Sequence, residues 1–277
     1  IMKNLDKKVV AITGAGSGIG RSLAIQLSQH GSHLALSDNN QEALEQTKTL
    51  ISSNVNATTH IVDVANQDEV YAWADNVAQA HNHIDCIINN AGVTVRASIE
   101  EINYEDFNWV FNIVFFGVLY GTKAFLPYLK ESPDAHIVNI SSVNGFTPFP
   151  KNGPYNCAKH AVKALNQTLH QELRGSNINI TSVHPGGIKT NIARNMKSYE
   201  SKDIQQQLVE RFEKAARTSP DKAANIIIKG ILKNRKRLLV GFDASIFDIL
   251  NRLFPQRFAD LFGFIHYKEK QKMIMDD

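Results

Sequence analysis

Residues 8–20 read KVVAITGAGSGIG, and this stretch decides the architecture. Its first half is apolar and β-branched throughout, the composition of a strand buried on both faces. Glycines then stand at 14, 16, 18 and 20, before an amphipathic helical pattern begins. The spacing is not G-x-G-x-x-G, because position 19 is isoleucine and position 21 arginine. The working frame is Gly14, Gly18 and Gly20, one residue longer in the first gap. Gly14 permits a tight turn, Gly18 lets a pyrophosphate approach the N–H groups of a helix N-terminus, and Gly20 lets helix and strand pack closely. A strand, a glycine loop and a helix in that order predict a dinucleotide site.

The same alternation continues outward. KVVAITG, HLALSD, ATTHIVDV, IDCIINNAG, AHIVNISS, NINITSVHPGG and RLLVGFD read as strands. Helical patterns lie between them at about 18–30, 40–52, 66–81, 102–130, 154–174 and 220–234. This predicts an α/β chain: a Rossmann-type, doubly wound parallel sheet of about seven strands with helices on both faces. No linker or repeat divides it, so residues 1–277 are expected to form a single domain. Ligands of such sheets bind beyond the carboxyl ends of the strands, which makes the strand-ending residues the ones to inspect.

Composition narrows the function classes. The chain has 277 residues, 43% of them hydrophobic and 21% charged, enough to bury a large core without disulfide or metal staples. A net charge of +3 is too small and dispersed to indicate nucleic acid. Cys86 and Cys157 have no metal-ligand spacing and the ten histidines form no cluster, so no metal is expected and a cytoplasmic location is. Ile1 precedes Met2, which reads as the native start, with no signal peptide after it. No run of 18 apolar residues predicts a membrane span.

The second strand ends in Asp38, 18 residues after Gly20, near the offset at which a carboxylate meets an adenosine ribose. A carboxylate there repels a 2′-phosphate. No Arg or Lys follows it and position 17 is serine, so NAD(H) is expected over NADP(H). The fourth strand ends in NNAG, residues 89–92. In GPYNCAKHAV, residues 153–162, Tyr155 and Lys159 share one helix face at i, i+4.

With the glycine loop, Asp38, NNAG and the Tyr-x-x-x-Lys pair in order, the chain resembles the short-chain dehydrogenase/reductase family over roughly residues 6–242. The resemblance implies that Thr13, Gly14, Ser17, Gly18 and Gly20 bind the cofactor with Ile19 lying against it, and that Asp63 and Val64 frame the adenine. It implies that Asn90, Ala91 and Gly92 pass the ribose, and that Pro185, Gly186, Ile188 and Thr190 lie beside the nicotinamide. Tyr155 is then the acid/base. Lys159 lowers the phenol's pKa and holds the nicotinamide ribose. Ser142, thirteen residues before the tyrosine, holds the substrate oxygen, and Asn112 bonds backbone and holds a water that passes protons from Lys159. The implied activity is an NAD-dependent alcohol dehydrogenase or carbonyl reductase.

Substrate walls are expected at Thr94 and Val95, then at Val143, Phe146 and Phe149, giving a pocket for a largely apolar secondary alcohol or ketone. Residues 191–216 are polar with few anchors and read as a mobile lid. Residues 243–277 form an amphipathic extension of two helices broken at Pro255, expected to pack on protein, with a weak membrane-surface contact as the alternative. Surplus apolar residues on helices 102–130 and 154–174 predict a homotetramer or homodimer. Two other classes compete: a dinucleotide sensor without turnover, and a peripheral membrane-associated protein of minor activity.

Overall fold

The protein is described by a computed structural model covering the backbone of residues 2–276 and the side chains of residues 2–268. In chain order the elements begin with β1 (Val9–Thr13), α1 (Gly18–Gln29), β2 (His33–Asp38), α2 (Gln41–Thr49), β3 (Ala57–Ile61), α3 (Gln67–His81) and β4 (Cys86–Asn89). Then come β5 (Val95–Arg96), α4 (Tyr104–Phe111), α5 (Gly117–Glu131), β6 (Ala135–Ile140), α6 (Gly153–Glu172) and β7 (Ile178–Pro185). The chain finishes with β8 (Lys197–Ser198), α7 (Lys202–Ala215), α8 (Pro220–Leu232), β9 (Arg237–Val240), α9 (Phe242–Leu253) and α10 (Pro255–Asp276).

Seven strands form one parallel sheet in the order β3-β2-β1-β4-β6-β7-β9. The chain winds outward from β1 to β3, returns to β4 beside β1, and then winds the other way. The crevice between the ends of β1 and β4 is the switch point where such sheets take ligands. The two faces are covered separately. One core sets Trp73 of α3 against Phe125 of α5, edge to face at 4.8 Å, over Ile87 and Ile137 of the sheet. The other packs Leu23 and Leu27 of α1 and Ile228 of α8 over Ile12 and Leu36. Asn40, Asn66, Asn103, Ser201 and Ser219 cap the helices that follow them, each accepting a first-turn N–H.

Four features depart from the sequence-based picture. The predicted helix over 102–130 is interrupted by a π turn at Asn112–Phe116. Tyr104–Glu131 is also long and apolar enough by composition to cross a membrane, but Val110, Val114, Val118, Phe125 and Leu129 spend that apolar character on the interior. Residues 191–216 are anchored rather than loose. β8 pairs with β5 in parallel, Lys151 reaches Glu200 at 2.5 Å, and Lys197 and Tyr199 both meet Asp106, at 2.9 and 3.0 Å. The extension, finally, is covered on one side only.

That covered side is aromatic. Phe149 meets Phe262 at 4.7 Å and Phe247 at 5.9 Å, and Phe258 closes the cluster against both tail rings. Asp248 takes a two-pronged bond from Arg237 of β9, 2.8 and 2.5 Å. On the other side Ile249, Leu253, Phe254, Leu261, Phe264 and Ile265 are exposed, and Lys268 stands over Phe264. Lys270 and Lys272, which continue the basic end of the sequence, lie outside the described side chains.

Candidate active site

The glycine loop is built as its spacing requires. Gly14 and Gly18 have positive φ, +64° and +53°, where a side chain is strained. A Cβ on Gly20 would stand 2.1 Å from the Gly14 carbonyl oxygen, so only hydrogen fits where α1 leaves β1. Thr13 lies beneath the loop. Its hydroxyl accepts from the N–H groups of Asn90 and Ala91 at 2.9 and 3.1 Å, and the Asn90 amide donates to the Thr13 and Gly14 carbonyls at 3.0 and 3.1 Å. This stitch joins the ends of β1 and β4 and fixes the crevice between them.

A cavity of about 590 Å³ fills that crevice. Ser17, Gly18 and Ile19 line it together with Asp38, Asp63 and Val64. Asn90, Ala91 and Gly92 continue the lining toward Ser142, Tyr155 and Lys159. Pro185, Gly186, Ile188 and Thr190 line it from the end of β7. These residues come from seven separate stretches of chain. Asp38 Oδ2 accepts the Gly16 N–H at 2.8 Å and Oδ1 the Asn40 N–H at 3.0 Å, which points the carboxylate into the mouth of the site. The glycine loop at the start of α1 and this carboxylate fit a dinucleotide.

The substrate-side expectations divide. Thr94 lines the cavity, and among the described residues its buried Oγ1 has no hydrogen-bond partner. Val95 does not line it, being fully buried in β5. Val143 and Phe146 are buried in a separate cluster with Ala244, and Phe149 turns to the aromatic cluster of the extension. The apolar lining is instead Val93, Ile113, Ile192 and Phe212. Asn112 is likewise misplaced by the sequence reading. Its side chain is exposed, and it is the next residue, Ile113, that faces the cavity. Asn112 is not among the residues that line the cavity with Lys159.

Tyr155, Lys159 and Ser142 do meet. Lys159 Nζ lies 5.5 Å from the Tyr155 ring centre and donates to the Ile140 carbonyl at 2.6 Å. Ser142 lines the same cavity as Tyr155, and its hydroxyl favours the ionised phenol. The expected depression of the phenol is not what the protein alone produces. Burial pushes Tyr155 up to about 12, and burial pulls the Lys159 ammonium down to about 7. Desolvation outweighs the opposing pull of the Ser142 hydroxyl on the phenol.

Lys159 therefore costs stability. Its folded pKa is below its unfolded one, so the penalty of burying the cation is full below about pH 7 and fades as pH rises from there toward the lysine's ordinary value. Lys159→Met is expected to raise the melting temperature at pH 6, with a smaller gain at pH 9. Thermal melts at the two pH values check this, and an equal gain at both would contradict it.

Ser142 is held from behind. His184 Nδ1 meets the Ser142 carbonyl at 3.1 Å and its Nε2 meets Ser182 Oγ at 3.0 Å. Burial holds this imidazole at about 4, hence neutral. Since the carbonyl only accepts, the ring proton is on Nδ1. Asn166, Asn139 and Asn89 continue the chain of buried amides from Ser182 across the sheet.

Three contributors escaped the sequence reading. Arg21 lines the cavity and donates to Thr47 Oγ1 at 3.0 Å, to the Ala43 carbonyl at 3.1 Å and to the Gly16 carbonyl. Its place one turn past Ser17 was the available signal. Asp243, at the start of the extension, accepts the Gly187 N–H at 2.6 Å and so braces the turn after β7. Asn144 sits two residues after Ser142 and bonds it. Arg96 and Arg194 are paired with Glu200 and Glu213, at 3.9 and 2.5 Å.

Comparison with known proteins agrees with this geometry. The short chain dehydrogenase family model matches residues 8–201. The protein named oxidoreductase SadH of Mycobacterium tuberculosis is 38% identical over 264 residues, covering 94% of this chain and 95% of that one. Among solved structures, a short chain dehydrogenase/reductase from Burkholderia phymatum in complex with NAD superposes with a TM-score of 0.84 at 29% identity, covering 91% of this chain and 95% of that one. An alcohol dehydrogenase from the archaeon Thermococcus sibiricus, complexed with 5-hydroxy-NADP, gives 0.72 at 26%, covering 84% and 95%.

Proposed function

The chain belongs to the short-chain dehydrogenase/reductase family, and on that premise we propose that it transfers a hydride between NAD(H) and a secondary alcohol or ketone on a largely apolar molecule, with Tyr155 as acid/base. The observation that carries this reading is the convergence of Ser142, Tyr155 and Lys159 on the cavity that the glycine loop opens into. The bound nicotinamide supplies the hydride and, when oxidised, a positive charge. The chain supplies the rest. Tyr155 gives its phenol proton to the carbonyl oxygen in reduction and takes the alcohol proton in oxidation. Ser142 holds that oxygen, and Lys159 stands behind the phenol ring. Val93, Ile113, Ile192 and Phe212 give the substrate an apolar bed, and the orphan Thr94 hydroxyl suits one further polar group on it. A panel of ketones with NADH and of alcohols with NAD, followed by nicotinamide absorbance, tests the assignment. No turnover of any member by a protein that binds NADH would favour a dinucleotide sensor.

Asp38 is the basis for preferring NAD(H), because its carboxylate repels a 2′-phosphate. Arg21 pulls the other way, but its guanidinium is committed to the Gly16 and Ala43 carbonyls. Asp38→Ala is expected to narrow the gap in kcat/KM between the two cofactors by about ten-fold, one charge contact's worth. Equal efficiency of the wild-type protein with both cofactors would remove the assignment.

A homotetramer or homodimer is the expected assembly. Phe115, Phe116 and Leu119 near α5, and Leu165 and Leu173 near the end of α6, remain partly exposed on neighbouring helices. Light scattering at micromolar concentration checks this, and a monomer would count against it.

A further inference from the structure

Ser142 is gripped through its backbone. Its carbonyl accepts the Gly145 N–H at 3.0 Å, which closes the short turn after β6, and it meets His184 Nδ1 at 3.1 Å. The residue before it is pinned as well, since the Ser141 N–H donates to the Val183 carbonyl at 2.7 Å. His184 is 1% exposed, and the Phe146 ring lies against it with centres 5.6 Å apart. A neutral imidazole carries one ring proton. The Ser142 carbonyl can only accept, so that proton is on Nδ1. Nε2 is left as an acceptor, and Ser182 Oγ must donate to it at 3.0 Å.

Ser182 is free to do so, because the other side supplies it with a donor. Asn166 Nδ2 donates to the Val162 carbonyl at 2.9 Å, which settles which end of that amide is nitrogen, and to Ser182 Oγ at 3.1 Å. Asn166 Oδ1 accepts from Asn139 Nδ2, and Asn139 Oδ1 accepts from Asn89 Nδ2, both at 2.8 Å. Every donor in this row points the same way, from the end of β4 to the Ser142 carbonyl. Turning one member round would set donor against donor or acceptor against acceptor in a buried layer, where an unmade bond is costly.

From this one-way row we propose that His184 is a positioning residue, which fixes Ser142 through its carbonyl and is itself held by the buried amides in the one tautomer that can do so. The inference deepens the reading of Ser142, Tyr155 and Lys159 as a hydride-transfer site and rests on it for the effect on rate; the tautomer does not depend on it. His184 does not line the cavity. Its two routes there are the Ser142 carbonyl and the turn that begins at Pro185, and the test separates them.

The first arm needs no turnover. Long-range nitrogen–proton correlation spectra of the full-length protein at pH 7 are expected to show His184 with a protonated Nδ1 and a bare Nε2, its signals identified by their absence from either variant below. A protonated Nε2 would overturn the proposal. The second arm uses two variants that each keep one edge of the ring. The Asn amide reaches where Nδ1 stands and the Gln amide where Nε2 stands, so His184→Asn keeps the bond to Ser142 and His184→Gln the bond to Ser182. Each loses one buried bond, and the two are expected to melt within a few degrees of each other. On a ketone found in the panel, kcat is expected to stay within about three-fold of wild type for His184→Asn and to fall about ten-fold for His184→Gln, one hydrogen bond's worth, with NADH affinity alike in the two. Equal kcat in the two variants would overturn the proposal. So would a loss in His184→Gln matched by a loss of NADH affinity, which would place the effect at the Pro185 turn. If one variant does not fold, the other still identifies the signals and the tautomer decides. Near-normal turnover by Tyr155→Phe would instead overturn the functional reading, while the contrast between the two His184 variants stands or falls by itself.

Discussion

Tyr155→Phe is expected to bind NADH within a few-fold of the wild-type protein and to lose roughly 10²–10⁴ in kcat, the contribution of a positioned acid/base. The substitution removes one oxygen from a ring that otherwise stays packed beside Lys159, so the cofactor side of the cavity keeps its shape. What disappears is the phenol oxygen on the side of the cavity that Ser142 also lines. No other side chain lining this part of the cavity replaces it. Ser142 holds its proton toward Asn144, and Lys159 is bound to the Ile140 carbonyl. Lys159→Ala is expected to lose both rate and cofactor affinity, a different signature. Near-normal turnover of Tyr155→Phe on any substrate found in the panel would remove Tyr155 from the reaction.

Deletion of residues 243–277 is expected to lower the melting temperature on the order of 10 °C. The tail contributes Phe247, Phe258 and Phe262 to the cluster around Phe149, and each buried ring is worth about 1.5–3 kcal/mol. For a chain of this size each kcal/mol moves the midpoint by roughly 2–4 °C. The deletion also strands Arg237, whose carboxylate partner is Asp248, and frees the Gly187 N–H from Asp243 at the turn after β7. Cofactor affinity is therefore expected to fall with stability. Differential scanning calorimetry and an NADH titration read both. The exposed face of Ile249, Leu253, Phe254, Leu261, Phe264 and Ile265 gives the other outcome a clear form. A truncated protein with unchanged melting and NADH binding, but lost flotation with lipid vesicles, would make the tail a membrane contact.

The places where sequence reasoning went astray share a cause. Asn112 stands in a helical pattern, and a uniform helix would have been read face by face. The π turn that begins at Asn112 takes in an additional residue, which offsets the faces on its two sides by roughly 100°. Ile113 then faces the cavity and Asn112 the solvent. Val143, Phe146 and Phe149 lie after β6 in one 3₁₀ turn and the loop that follows it, too short for a sequence period to aim their side chains. Phe149 is claimed by rings more than ninety residues away in sequence. Lid residues 197–200 look unanchored because their partners, Arg96, Asp106 and Lys151, are brought to them only by the fold. Asn144, two residues past Ser142, carries no motif, and its bonds to Ser142 and Asn156 are visible only in the fold.

By itself the sequence determined the parallel sheet, the glycine loop, and the strand ends that meet at the switch point. These follow from local rules: a two-faced apolar run must be a buried strand, and a Cβ at Gly20 would collide with the chain's own turn. The tertiary structure decided which side chains face the cavity, how the tail is covered, and the protonation of the site. Those depend on what surrounds each group. Tyr155 and Lys159 stand at i, i+4 in any helix, but burial moves the phenol to about 12 and the ammonium to about 7, and only the folded chain sets that burial.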